Sequence, residues 1–306
     1  MGGIIDFMKK ELPKLIVILG PTASGKSGLA IKLAKKFKGE VISADSRQVY
    51  KYMNIGTAKT TKQEMKGIKH YMIDIVKPDE VLSLAQYKDK AVKLINNISK
   101  RGKTPFLVGG TGLYVSAIVD NWLIPQIEPN KKLRRELESK TNQWLFNKLK
   151  KLDPTTAKRI DSENKRRLVR ALEVCLSSGR LFSDERRRGE PLFDVLEIGI
   201  KLPRRELYQR INNRVDLMVK QGLLNEVKKL VKSGYKWNLP AMSGIGYRQI
   251  GMYLRGEINL EESIALIKRD TRRYAKRQMT WFRRDKKIKW IKNYNMADKL
   301  IVKFLK

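Results

Sequence analysis

The sequence has a single cysteine, Cys175, and a single histidine, His70, among its 306 residues. A lone cysteine excludes a framework of intramolecular disulfides and a zinc site built on cysteines, and it fits a reducing compartment. Secreted scaffolds that depend on disulfides are therefore excluded. With no second imidazole beside it in the sequence, we expect His70 to be structural rather than catalytic.

Long hydrophobic runs are also absent from this sequence. The longest apolar run near the start is LIVIL at residues 15–19, far below the roughly 20 residues of a membrane-spanning helix. The opening segment, MGGIIDFMKK, places its lysines after its apolar residues and shows no cleavage site, so we expect no signal peptide. These features predict a cytoplasmic protein without a membrane anchor.

Acidic residues are scarce relative to basic ones. The chain has 66 Lys and Arg against 31 Asp and Glu, a formal net charge of +35. Its hydrophobic fraction of 42% is sufficient for a folded core, so the charge does not indicate a disordered polymer. An excess of this size favours a polyanionic partner, with nucleic acid first and an acidic membrane second. The alternative is a lysine-rich surface that is merely solvated.

Apolar strands alternate with amphipathic helices over the first 120 residues. We predict strands at 14–20, 40–45 and 104–110, and helices at 27–37, 83–102 and 111–119. A strand–helix–strand alternation indicates a parallel sheet covered by helices on both faces. The predicted fold class is therefore α/β.

The composition changes at residue 121, where Pro125 and Pro129 interrupt the chain. From there to about residue 190 the sequence is helical in pattern and strongly basic, which we interpret as a helical insertion domain. An apolar strand at 193–203 returns the chain to the sheet, and a long helix is predicted at 258–284. We therefore expect a core of residues 1–120 and 191–306 and an insertion of residues 121–190.

The stretch GPTASGKS follows a predicted strand and begins a predicted helix, as the phosphate-binding loop GxxxxGK[ST] requires. Its glycines allow the backbone to wrap an anion, its lysine reaches the terminal phosphates, and its serine hydroxyl is a ligand for Mg²⁺. We predict diphosphate binding by Gly20, Pro21, Thr22, Ala23, Ser24, Gly25, Lys26 and Ser27. A chance match is the alternative, and the loop does not specify which molecule carries the phosphates.

The acid that a typical ATPase or GTPase places at the end of a second strand has no clear counterpart. The candidate strand in TPFLVGGTGLY ends in glycines and Thr111, and Asp74 in HYMIDIV is a possible substitute in a short segment. The guanine-specifying pattern Asn-Lys-x-Asp is also absent. Hydrolysis of the bound phosphates is therefore not expected.

Six motifs occur in the order seen in tRNA dimethylallyltransferases, also called tRNA isopentenyltransferases. They are GPTASGKS (20–27), DSRQVY (45–50), IGTAK (55–59), LVGGTGLY (107–114), RALEV (170–174) and TRRYAKRQMTWFRR (271–284). The resemblance covers about residues 14–291. It implies a P-loop NTPase-like core carrying a helical insertion. It also implies transfer of a dimethylallyl group from dimethylallyl diphosphate to the exocyclic amine of the adenosine 3′ of the anticodon.

The resemblance implies a task for Asp45, which ends the predicted strand EVISAD. As general base, its carboxylate would take the proton of the attacking amine. The alternatives are an aspartate that caps a helix or one that holds magnesium. The resemblance also implies tRNA contacts by Ser46, Arg47, Gln48 and Thr111, with Thr111 touching the same nucleotide. For Thr111, ordinary turn or N-cap chemistry is the alternative.

On the diphosphate side, the resemblance implies Lys26, the loop amides and magnesium held by Ser27 as stabilisers of the leaving group. Arg214 in LYQRINNRVDLM resembles an arginine that assists there, and an exposed arginine in a helical salt bridge is the alternative. Mg²⁺ is the expected cofactor. ATP binding is expected from the loop pattern, which leaves open whether ATP is a physiological ligand.

Two basic segments are the candidates for tRNA contact, KRRLVR and IKRDTRRYAKRQMTWFRR. Their lysines and arginines would neutralise phosphates, and an aromatic of the second segment, Tyr274, Trp281 or Phe282, would stack on an extruded base. The alternative is that these aromatics form the buried face of a basic helix, which we expect for Trp281. The arginines predicted to contact the anticodon stem-loop are Arg166, Arg167, Arg170, Arg272 and Arg273. We expect the enzyme to act as a monomer.

Two other functions remain open at this point. A nucleoside monophosphate kinase shares the phosphate-binding loop and a helical insertion with arginines, but it has no need of the DSRQVY acid or of a +35 charge. A non-catalytic RNA-binding protein with a phosphate-binding loop is the second. Formation of isopentenyladenosine from dimethylallyl diphosphate and tRNA would distinguish a tRNA dimethylallyltransferase from the kinase and from the non-catalytic binding protein.

Overall fold

The computed structural model describes residues 11–124 and 130–306. The opening ten residues and the prolines Pro125 and Pro129, on which two of the predictions above depend, lie outside this part of the chain. The described residues form two compact units. One contains the chain up to Ser83, Tyr87–Val119 and Leu192–Lys306, and the other contains Leu84–Gln86 and Asp120–Pro191.

The first unit is built on a six-stranded parallel sheet, which confirms the predicted α/β class. Its strands are β1 (Lys14–Leu19), β2 (Gly39–Ala44), β3 (His70–Tyr71), β4 (Thr104–Gly109), β5 (Asp194–Ile200) and β6 (Lys289–Ile291). Their order across the sheet is β3-β2-β4-β1-β5-β6. The two strands that the sequence did not predict, β3 and β6, have only two and three residues, too few for a periodic pattern.

The helices of the described residues are numbered in chain order. They are α1 (Lys26–Lys36), α2 (Lys62–Met65), α3 (Leu84–Lys100), α4 (Gly112–Val119), α5 (Lys131–Ser139), α6 (Asn142–Leu152), α7 (Pro154–Ala157), α8 (Lys165–Ser178), α9 (Arg204–Lys220), α10 (Leu223–Lys232), α11 (Tyr247–Leu254), α12 (Leu260–Phe282) and α13 (Tyr294–Leu305). None of these helices has the length and apolarity needed to cross a bilayer.

The central strands β1 and β4 are buried almost throughout because helices cover both faces of a parallel sheet. Ile16 of β1 lies in register with Phe106 of β4 on one side and Leu196 of β5 on the other. This register places the carboxyl ends of β2, β4 and β1 side by side. Crevices at that edge of parallel sheets are where such folds bind ligands.

The second unit is helical in its described part. Leucines of α5, α6 and α8 pack together, among them Leu137, Leu145 and Leu168. The fully buried carboxylate of Glu173 accepts hydrogen bonds from Arg134 and pairs with Arg170. A buried acid is tolerated only with such partners, so part of the basic character of this unit is structural.

Candidate active site

The phosphate-binding loop joins β1 to α1 and has the backbone shape that anion binding requires. Ala23 and Gly25 have φ angles of 62° and 87°, in the left-handed region. Such turns direct successive N–H groups toward one point, and the amides of Gly25, Lys26 and Ser27 have no acceptor in the described chain. The loop therefore presents unsatisfied donors at the positive end of α1.

Lys26 and Arg214 are two cations on the wall of one cavity. The Lys26 ammonium donates to the carbonyl of Pro21 at 3.1 Å. Burial lowers the pKa of Lys26 to about 8, with Asp45 acting to raise it and Arg214 to lower it. Burial also lowers the pKa of Arg214. Two partly desolvated cations side by side are costly unless an anion binds between them, so this cavity is suited to a phosphate group.

Asp45 begins a tight turn directly after β2. Its Oδ1 accepts the amide of Arg47 at 2.8 Å and that of Gln48 at 3.4 Å, an Asx-type turn rather than a helix cap. Within the described residues Oδ2 has no hydrogen-bond donor. One carboxylate oxygen thus fixes the side chain, and the other remains available to a substrate.

Thr111 anchors this turn from the neighbouring strand. Its Oγ1 accepts the amide of Ser46 at 3.0 Å, and its own amide donates to the carbonyl of Ala44 at 3.1 Å. Gly109 precedes it, and a Cβ there would stand 2.1 Å from the Ala44 carbonyl oxygen, so only glycine allows this approach. The glycines of the GGTG motif therefore bring Thr111 and Asp45 together.

Tyr274 of α12 lines a cavity together with Asp45, Ser46 and Arg47. Burial, with a smaller contribution from the Asp45 charge, raises the pKa of Tyr274 to about 12. The phenol is therefore a neutral hydrogen-bonding group near Asp45 at physiological pH.

Two cavities meet at Asp45. The first, of about 660 Å³, is lined by the phosphate-binding loop, Lys26 and Arg214. The second, of about 490 Å³, is lined by Arg47, Arg273, Tyr274 and other residues on the opposite side. The residues that line both are Thr22, Asp45, Thr57, Ala58, Arg214 and Met218. A group bound in either cavity would therefore face the Asp45 carboxylate.

The segment that lines both cavities, residues 54–59, is held by side chains that the sequence analysis did not single out. Glu226 of α10 accepts the amides of Asn54 and Ile55 at 2.8 Å and that of Gly56 at 3.1 Å. Tyr247 donates its hydroxyl to Glu226 at 2.6 Å. The Glu226 carboxylate thus accepts four hydrogen bonds, and these charge-assisted bonds hold the turn in place as a bound anion would.

Replacing Glu226 with Gln is expected to loosen that turn. The amide nitrogen of Gln would face backbone donors, and an unsatisfied buried donor costs about 1–3 kcal/mol. Amide hydrogen exchange at Asn54, Ile55 and Gly56 should accelerate by about 10- to 100-fold. Hydrogen-exchange mass spectrometry of the variant checks this, with Glu261→Gln on the exposed face of α12 as the control. Unchanged exchange at these three amides would contradict the assignment.

The remaining predicted residues are distributed over both units. Gln48 supports the same segment by donating to the carbonyls of Thr57 and Ala58. Arg47 donates to the Pro240 carbonyl at 2.7 Å while lining the second cavity. Arg272 bonds Asn212 on α9, whereas its neighbour Arg273 lines that cavity.

The predicted arginines of α8 belong to the second unit. Arg166 and Arg167 are exposed, and Arg170 is half-buried against Glu173. Arg170 therefore also neutralises a buried carboxylate within the helical unit. All three stay predictions as tRNA contacts.

Three residues singled out from the sequence have structural contacts instead of catalytic ones. Asp74 forms an ion pair with Lys59 at 2.6 Å and lines neither cavity, so it does not substitute for the missing acid of an ATPase. His70 contacts the Ile68 carbonyl through Nδ1 at 2.8 Å. Trp281 is half-buried and its Nε1 donates to Ser116 at 3.3 Å.

The ligands available for magnesium are few. Residues 11–124 and 130–306 contain no group of three His, Cys, Asp or Glu side chains that would hold a metal. Ser27 lines the first cavity beside Lys26. One hydroxyl together with phosphate oxygens and water is a set that Mg²⁺ accepts, so the loop fits magnesium bound with a diphosphate rather than alone.

Comparison with known proteins gives concordant results. Residues 48–285 match the model of the family described as IPP transferase. The chain is 48% identical over 303 residues to a tRNA dimethylallyltransferase of Acetivibrio thermocellus, covering 96% of this chain and 97% of that protein. A tRNA dimethylallyltransferase of Clostridioides difficile is 47% identical over 299 residues, with 95% and 96% covered.

Solved structures agree with these relatives. The tRNA isopentenylpyrophosphate transferase of Bacillus halodurans superposes with a TM-score of 0.72 at 43% identity, covering 95% of each chain. A eukaryotic dimethylallyltransferase acting on tRNA superposes with a TM-score of 0.75 at 33% identity, covering 88% of this chain and 69% of that one.

Proposed function

The chain belongs to the IPP transferase family, and from that premise we propose that it is a tRNA dimethylallyltransferase. It transfers the dimethylallyl group of dimethylallyl diphosphate to the exocyclic amine of the adenosine 3′ of the anticodon. The observation that carries this proposal is the position of Asp45, whose carboxylate faces both the phosphate-binding cavity and the cavity lined by Arg273 and Tyr274.

In the proposed reaction the adenosine amine attacks the first carbon of the allyl chain. A carbon–nitrogen bond forms while the bond between that carbon and the diphosphate oxygen breaks. Asp45 accepts a proton of the amine, which prevents a positive charge from persisting on nitrogen. Thr111 holds the Asp45 turn in place through the Ser46 amide, so the base does not have to be oriented during the step.

The diphosphate leaves with additional negative charge, which the first cavity is suited to receive. The amides of the loop, the Lys26 ammonium and the Arg214 guanidinium supply fixed positive potential there. Ser27 is the residue that would hold magnesium, which when bound neutralises charge on the diphosphate oxygens. Asp74, the candidate for the acid of an ATPase, is paired with Lys59 and lines neither cavity, and Asp45 is assigned to the amine. We therefore propose transfer to the amine rather than hydrolysis.

The helical insertion, residues 121–190, is proposed to contact the anticodon stem-loop, and residues 1–120 and 191–306 to form the catalytic core. Support comes from the exposed arginines of α8 and from the net charge of +35. A monomer working in the cytoplasm is part of the same proposal.

Removing two exposed arginines should flatten the salt dependence of tRNA binding. Each phosphate contact contributes about 0.9 to the slope of log K against log salt for duplex nucleic acid, so Arg166→Ala with Arg167→Ala should lower the slope by up to about 2. Arg170 is left in place because its loss would also disturb Glu173. Filter binding over a salt series measures the effect.

The matched control for that pair removes two charges from exposed positions of α13, with Lys299→Ala and Lys303→Ala. The control should leave the slope unchanged. A slope equal to wild type in the arginine variant would mean that these two side chains are only solvated.

The assay that tests the proposed function is direct. The purified chain is incubated with dimethylallyl diphosphate, Mg²⁺ and total tRNA, and the digested tRNA is examined for isopentenyladenosine by mass spectrometry. Its appearance supports the proposal. Phosphate transfer from ATP to a nucleoside monophosphate would favour a kinase, and tRNA binding without product would favour a non-catalytic binding protein.

A further inference from the structure

We propose that Gln278 is a positioning residue for the transfer reaction, setting the phosphate-binding loop at a fixed distance from Asp45 and Thr111. The inference rests on the proposed function. Gln278 lies on α12 and is 6% exposed. It is not among the residues that line either cavity, so it acts through the groups it holds.

Both polar atoms of the Gln278 amide bond to site loops. Its Oε1 accepts the amide of Thr22 in the phosphate-binding loop at 2.8 Å, and its Nε2 donates to the carbonyl of Gly110 at 2.8 Å. Thr22 follows β1, whereas Gly110 follows β4 and immediately precedes Thr111. One side chain thus spans the loops after two neighbouring strands. The first loop is proposed to receive the leaving group, and the second carries Thr111, which holds the Asp45 turn.

The surrounding backbone is shaped for this bridge. A Cβ at Gly110 would stand 2.3 Å from Nε2 of Gln278, so the glycine is needed for the contact. One turn after Gln278 on the same helix, Trp281 donates to Ser116 of α4 at 3.3 Å. α12 therefore contacts both the end of β4 and the helix that follows it, and Gln278 extends the contact to the phosphate-binding loop.

The bond to Thr22 also determines which amides remain for a phosphate. The Thr22 N–H is directed to Gln278 and the Ser24 N–H to Pro21, so neither is a donor to the diphosphate, whereas the amides of Gly25, Lys26 and Ser27 have no acceptor in the described chain. Losing the bridge would release Thr22 and leave the Gly110 carbonyl without its partner. A shift of about 1 Å between reacting groups can cost about 100-fold in rate, so the bridge matters to catalysis more than its two hydrogen bonds would matter to stability.

Two substitutions test the bridge in single-turnover transfer assays. Gln278→Met keeps the length of the side chain and removes both hydrogen bonds, and we expect the rate to fall by about 10- to 100-fold with little change in either KM. Gln278→Glu keeps an acceptor for Thr22 but places a carboxylate oxygen against the Gly110 carbonyl. Protonation of that carboxyl restores a donor, so the rate relative to wild type should rise as the pH is lowered.

Comparing each variant with wild type at every pH removes the pH dependence of the ionisable groups that both chains share. The relative rate of Gln278→Met should stay flat over the same range. The matched control is Gln209→Met, at an exposed position of α9 that lines neither cavity, which should behave as wild type. Should the Met variant fail to fold by circular dichroism, the pH dependence of the Glu variant decides the question.

The outcomes separate this inference from the function it rests on. Wild-type chain that forms no isopentenyladenosine would refute the proposed function and the inference with it. Active wild type with a Met variant of equal rate, or a Glu variant whose relative rate does not rise on acidification, would refute the role of Gln278 alone. A rate loss that appears wholly in KM would likewise assign Gln278 to binding instead of positioning.

Discussion

Asp45→Asn is expected to lower kcat by about 10²- to 10⁴-fold, the usual loss when a general base is removed. Asparagine has the size of aspartate and retains an oxygen that can accept the Arg47 amide, so the turn after β2 should persist. The amide cannot take a proton at neutral pH. Both KM values should therefore change little, because the loss falls on the chemical step.

A magnesium titration in single-turnover assays distinguishes this role from the alternatives. A metal ligand would show partial rescue of Asp45→Asn by added magnesium. A residue that only shapes the turn would leave near-wild-type activity, since Asn supports such turns about as well as Asp. Asp89→Asn, an exposed substitution of the same kind on α3, is the control. Full activity of Asp45→Asn at ordinary magnesium would end the general-base assignment.

The sheet and the phosphate-binding loop were predictable because their signals are local. The apolar runs of β1, β2, β4 and β5 are longer than those of a turn or an exposed helix. The predicted ends of these strands agree with the structure to within a few residues. GPTASGKS predicts its own backbone conformation, because Gly25 adopts the left-handed conformation that the pattern requires. The position of Asp45 at the end of β2 followed from the same strand.

The supports of the site were not predictable, because they join segments far apart in the chain. Glu226 holds a turn about 170 residues earlier, and Gln278 bonds Thr22 over 256 residues. A sequence shows a buried polar residue on a helix only as a break in an apolar face, and it does not indicate the partner. Arg272 and Arg273 illustrate the same limit, since adjacent arginines on one helix point to different surroundings.

Some of the basic residues neutralise buried carboxylates and others are free to bind an anion, and the net charge does not distinguish the two groups. Arg101 and Lys103 pair with the buried Glu40 at the opposite end of β2, where they hold the pKa of that carboxyl at about 2. Arg134 and Arg170 neutralise Glu173 in the helical unit. The polyanion-binding surface is therefore smaller than the count of lysines and arginines implies, which is why the exposed pair in α8 is the sharper probe.

Lys26→Ala is expected to weaken binding of pyrophosphate by about 10²- to 10³-fold, because a charge-assisted contact in a desolvated cavity is worth about 2–5 kcal/mol. Binding of tRNA should stay near the wild-type value, since Lys26 lines the cavity of the phosphate-binding loop and not the one lined by Arg273. Calorimetry with pyrophosphate and filter binding with tRNA measure the two. Equal loss in both would contradict this division.

The pH dependence of pyrophosphate binding gives the same residue a sharper test. Burial lowers the pKa of Lys26 to about 8 in the free chain, and a bound anion favours the charged form. Below that pH the ammonium is already present, so Lys26 adds no pH dependence. Above it, binding must take up a proton, and affinity should fall by up to about tenfold per pH unit. The arginine of Lys26→Arg stays charged over the whole pH range, so the affinity of this variant should not fall above pH 8 for that reason. The titration of pyrophosphate itself affects wild type and variant alike. Parallel pH profiles for wild type and Lys26→Arg would show that the ammonium does not titrate in this range.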